Sequence, residues 1–108
     1  MNEEDAFRAI DFVKKSAEQY GQAKADVSYI EKYLTSLKSE LMGEETGTLG
    51  AKEAYAYSHP RYKDQLQALK IAVAEEAKLK YLLEAAKMTI EVFKTLEFSK
   101  RVEMRAFQ

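Results

Sequence analysis

Apolar and polar residues recur along this chain at helical spacing, and the longest such run organises the rest. From Arg61 to Gln108 there is no Gly and no Pro, and Ala, Leu, Lys and Glu are frequent. Nothing there interrupts a helix, so the pattern predicts one long helix over residues 60–106, about 70 Å long at ~1.5 Å per residue. Its apolar positions are Tyr62, Leu66, Leu69, Val73 and Ala77, then Leu79, Leu82, Leu83, Ala86, Ile90, Phe93 and Leu96. Phe98, Val102, Met104 and Phe107 follow in its tail.

A first helix is expected over 3–42. Asn2 can cap it, with Glu3, Glu4 and Asp5 in the first turn. Its apolar positions run Ala6, Ile10, Val13, Ala17 and Tyr20, then Ala23, Val27, Ile30, Leu34, Leu37 and Leu41. The second group steps alternately by four and three, the spacing of a heptad seam. The first group is out of phase with it, and Gly21 stands at the junction. The coincidence predicts a bend, an overwound turn or a break near Gly21. Gly43 occupies the usual stop position of a helix. Residues 43–50, rich in glycine, read as a loop, and 51–57 as a short helix. Pro60 suits the first turn of the long helix, with Ser58 or His59 as its cap.

The fold class expected is therefore all-α: a long antiparallel helical hairpin forming a single domain over 1–108. A two-helix hairpin hides one side of each helix. Phe7, Phe12, Tyr29, Tyr33, Tyr81, Leu83, Phe98 and Phe107 are then expected to face water. A symmetric homodimer closing into a four-helix bundle would cover them.

Charge adds a detail. The net charge is −1, but residues 2–44 hold nine acidic and six basic side chains, whereas 61–108 hold ten basic and seven acidic. Mutual attraction of the two long helices accounts for this, and a basic docking surface is the alternative. The acidic N-terminus does not resemble a secretory signal, no apolar run approaches a membrane span, and the absence of Cys fits a reducing cytoplasm.

Candidate chemistry is sparse. There is one His and no Cys, and the glycine loop ends Gly50-Ala51-Lys52-Glu53 rather than as a phosphate-binding loop. The long helix lacks the His residues of a di-iron bundle. Glu75, Glu76, Glu84 and Glu91 are expected to pair with Lys78, Lys80, Lys87 and Lys94. No enzyme activity, cofactor or metal site is expected. Two clusters remain as candidate partner-binding sites. Tyr55, Tyr57, His59 and Tyr62 concentrate rings at the hairpin end, either packing that end or presenting a contact surface. Lys100, Arg101, Arg105 and Phe107 combine cations with an apolar ring on the last turns, either serving the helix terminus or docking a partner.

The segments Glu53-Ala54-Tyr55-Ala56-Tyr57-Ser58-His59-Pro60-Arg61-Tyr62 and Leu82-Leu83-Glu84-Ala85-Ala86-Lys87-Met88-Thr89-Ile90-Glu91-Val92-Phe93-Lys94-Thr95 resemble small all-helical proteins of tailed bacteriophages and prophages. Members of that group are often encoded near recombination genes. The resemblance covers roughly residues 25–100, with Phe93 standing where the group usually carries Trp. It implies a phage origin, a helical fold and a role in phage DNA recombination or counter-defence, through a host or phage protein partner. It brings no catalytic residue. Nucleic-acid binding by the basic half of the chain is the second functional expectation.

Overall fold

In a computed structural model, the described residues, 1–107, form three α-helices and no strand: α1 (Glu3–Glu44), α2 (Leu49–Ser58) and α3 (Pro60–Ala106). The start of α1 is a reciprocal cap. The Asp5 amide donates to Asn2 Oδ1 at 2.9 Å, and the Asn2 amide donates to Asp5 Oδ2 at 3.0 Å. Two of the amides that a helix start leaves without partners are thereby satisfied.

α1 passes through both Gly21 and Gly43 without interruption. The phase change expected near Gly21 vanishes once burial is followed. The buried and half-buried row of α1 is Ala6, Ala9, Val13, Ser16, Tyr20 and Ala23, continuing through Val27, Ile30, Leu34, Leu37 and Leu41. Steps of three and four alternate without a break. Ala9 and Ser16 hold the inner positions for which the apolar pattern nominated Ile10 and Ala17, and Ser16 is buried. A small side chain there lets a neighbouring helix approach closely, which a reading by hydrophobicity alone misses.

The turn also differs from expectation. Gly43 remains helical, and the chain reverses at Gly47, which has the left-handed φ of 117°. Thr48 then caps α2, its Oγ1 accepting from the Ala51 amide at 3.1 Å, so the helix begins at Leu49 inside the expected loop. His59 separates α2 from α3 in extended conformation, as a residue before proline prefers. Its Nδ1 accepts from the Arg61 amide at 3.1 Å, and its carbonyl accepts from the Tyr62 and Lys63 amides. His59 is thus the α3 cap.

Two compact units divide the described residues: 1–20 with 78–107, and 21–77. In the 21–77 unit, Leu37, Leu41 and Ala56 form the core, with Met42, Tyr55 and Tyr62 packed against it. Arg61 reaches Glu40 at 3.7 Å, an exposed pair of small energetic value. In the other unit, Ala6, Ala9 and Ser16 of α1 and Leu79, Leu83 and Ala86 of α3 are buried. Leu83 therefore belongs to the inner row and not to the water-facing set. Phe12 is half-buried, whereas Phe7, Tyr29, Tyr33, Tyr81, Phe98 and Phe107 are exposed as expected.

Candidate interaction surfaces

The tyrosine cluster lies within the 21–77 unit, and its four sequence-nominated members come together. Tyr57 and Tyr62 meet edge to face at 5.3 Å between ring centroids, and Tyr55 and His59 do so at 5.6 Å. Such contacts follow from the ring quadrupole. Tyr55 Oη donates to Glu44 Oε2 at 3.1 Å, tying α2 to the end of α1. That hydrogen bond, with some desolvation, raises the Tyr55 pKa above the ordinary phenolic value. Lys38 Nζ stands 4.8 Å from the Tyr57 ring centroid, and hydrogen bonding with Tyr57 raises the lysine pKa. Tyr55, His59 and Tyr62 are half-buried and Tyr57 is exposed. These rings pack on one another within their unit, and Tyr57 is the one of the four that is exposed.

The basic tail is open throughout. Every residue from Phe98 to Phe107 is exposed, including Lys100, Arg101, Arg105 and Phe107. Lys100 pairs with Glu97 at 3.5 Å, and Lys94 with Glu91 at 3.3 Å. Lys80, Lys87, Lys94 and Arg101 recur every seventh residue and are exposed. A seven-residue spacing keeps them on one side of α3.

A further surface on α3 was not nominated from the sequence. The inner row of α3 in this unit is Leu79, Leu83, Ala86, Ile90, Phe93 and Glu97, stepping by four and three. Moving two residues along from each gives Tyr81, Ala85, Met88, Val92, Thr95 and Ser99, and the same stepping then reaches Val102 and Ala106. Two residues are about 200° of rotation at 3.6 residues per turn, so this second row lies on the opposite side of the helix. All of it is exposed, Tyr81 at 66% and Met88 at 67%. The Thr95 hydroxyl donates back to the Glu91 carbonyl at 3.1 Å, so its polarity is satisfied within the helix. The corresponding side of α1 carries Arg8, Asp11, Lys15 and Glu18, with Lys15 and Asp11 bridged at 2.8 Å. One helix of the unit thus has an outer side built for water, and the other does not.

Beside this row lies an open hollow of about 680 Å³, lined in part by Met1, Phe12, Leu82 and Thr89. Among the described residues no three His, Cys, Asp or Glu side chains gather as a metal group would require, and no helix is long and apolar enough to cross a membrane. No protein family, curated protein or solved structure matches the chain.

Proposed function

We propose that this protein works by binding rather than by chemistry: a helical hairpin that self-associates through the outer side of its long helix and docks on a protein partner. The supporting observation is the second row of α3, which is exposed, uncharged and mostly apolar, and keeps heptad spacing over nearly four heptads. Heptad spacing suits a helix as occupant, because knobs at three- and four-residue steps fit the holes of another helix. Large exposed apolar surface is the usual mark of an interaction site. The open tail around Lys100, Arg101 and Phe107, and exposed Tyr57, are the places left for a different protein. The assignment to phage recombination or counter-defence rests on the sequence resemblance alone.

Sedimentation of the intact chain at micromolar concentration tests self-association. The expected species has twice the 12.4 kDa chain mass. A monodisperse monomer would refute the proposal.

The seven-residue recurrence of Lys80, Lys87, Lys94 and Arg101 favours one second reading, a nucleic-acid accessory protein. Four phosphate contacts would give binding that weakens with salt, with a log–log slope of roughly −3 to −4. Absence of any gel shift at low salt and micromolar protein, with single- and double-stranded DNA, would dismiss it.

A further inference from the structure

We infer that the occupant of the outer row of α3 is the outer row of α3 in a second copy, paired antiparallel about a two-fold axis between Phe93 and Lys94. This deepens the proposed self-association and depends on it. All the residues concerned lie on one helix, within one unit.

The argument is complementarity of size and charge in one register. An antiparallel heptad pairing centred there sets Tyr81 against Ala106, Ala85 against Val102, Met88 against Ser99 and Val92 against Thr95. In three of the four layers a larger side chain meets a smaller one, the central layer sets Val92 against the similarly shaped Thr95, and the two-fold axis repeats every layer. Such alternation is what interdigitated packing needs. The positions flanking these layers place Glu84 beside Arg105 of the second copy, twice by symmetry. Thr89 faces Leu96 of the second copy next to the hollow that Thr89 helps to line. Lys78, the one charge on the upstream continuation of the row from Ile71, falls outside the overlap.

Neighbouring alignments lack these features. Sliding by one heptad toward the N-terminus sets Glu91 against its own symmetry mate and Lys78 against Val102. Sliding the other way leaves Tyr81 and Ala85 without a layer. A parallel pairing stacks Tyr81 on Tyr81 and Met88 on Met88, next to an Ala85 layer too small to fill its level. Its flanking positions bring no opposite charges together. Like charges held opposite one another oppose pairing, and unlike charges set partner and orientation.

The chain has no cysteine, so engineered thiols report the register directly. Met88→Cys and Ser99→Cys are made separately, one with a tag, then mixed and oxidised. Both positions are exposed, so neither substitution disturbs the core. The expected product is the mixed Met88→Cys/Ser99→Cys disulfide dimer, in excess over either self-linked species. In parallel, Glu84→Arg and Arg105→Glu should each weaken dimerisation about tenfold, and the double variant should recover it. Sedimentation of the unmodified chain separates the failures. A dimer that yields no mixed disulfide, or prefers Met88→Cys self-linkage, overturns this register and leaves self-association standing. A monomer overturns both.

Discussion

Single residues in the helical segments have conformational roles that can be read from their surroundings. Gly21 lies inside α1, and a Cβ built there meets nothing within 4 Å. Glycine in a helix interior is worse than alanine by about 1 kcal/mol, partly through the freedom it gives the unfolded chain. Gly21→Ala should therefore stabilise the protein by about 0.5–1 kcal/mol in urea titration. A loss of stability would mean that α1 needs glycine there for a distortion. Gly47 is the opposite case. Its φ of 117° is open to glycine and strained for other residues, so Gly47→Ala should cost about 1–3 kcal/mol. Tyr55 supplies a pH dependence. Its pKa is raised in the folded protein by the hydrogen bond to Glu44, so the folded state holds the phenolic proton more tightly than the unfolded state does. The stability this contributes is complete below the unfolded tyrosine pKa of about 10 and disappears as pH rises through the folded value. The stability difference between native protein and Tyr55→Phe should narrow over that alkaline window. A gap that stays constant would show that the hydroxyl contributes nothing.

At the scale of the helix, stability concentrates where a row of side chains is buried. Leu37 and Leu41 are 1% and 0% exposed and share the core with Ala56. Leu41→Ala should cost about 2–5 kcal/mol, the range for emptying a packed leucine site, in chemical denaturation. A cost below 1 kcal/mol would mean that the end of this unit is loosely held. The existence of the helices, the Asn2 cap and the association of Tyr55, Tyr57, His59 and Tyr62 were legible in the sequence, because each depends on local residue type and spacing. The inner row of α1 was legible at most of its positions, small Ala6 and Ala23 included, but not at Ala9 and Ser16. Ala9 and Ser16 hold inner positions although Ile10 and Ala17 are beside them, because a continuous heptad demands those positions whatever residue fills them. On α3 the apolar residues belong to more than one side of the helix. Leu66 and Val73 are exposed, and the half-buried positions next to them are Gln65 and Ala72. The apolar positions read in chain order merge those sides into one broad face and leave out Met88 and Val92, so the outer row does not emerge from them.

For the whole molecule, self-association makes stability a function of concentration. A partner that binds the folded chain and not the unfolded one stabilises it by mass action, so the thermal midpoint of a dimer rises as protein is added. The outer row of α3 is on the helix surface and contributes nothing to the interior of its own unit. Replacing Met88 and Val92 together by Lys should thus leave the helical signal of the folded chain intact, since Lys is a good helix former. It should also bury four like charges at the centre of a dimer, which the pairing cannot tolerate. The expected result is a midpoint independent of concentration, lying at the low-concentration limit of the native protein, with circular dichroism unchanged at low temperature. Denaturation scans over a hundredfold range of concentration provide the measurement. Added salt offers a second discriminator, because the contact is mainly apolar and its only opposed charges are Glu84 and Arg105. The native midpoint should fall little as salt screens those exposed pairs. A native midpoint that ignores concentration, or a Lys variant that keeps the native concentration dependence, would show that the outer row of α3 is not where copies of this chain meet.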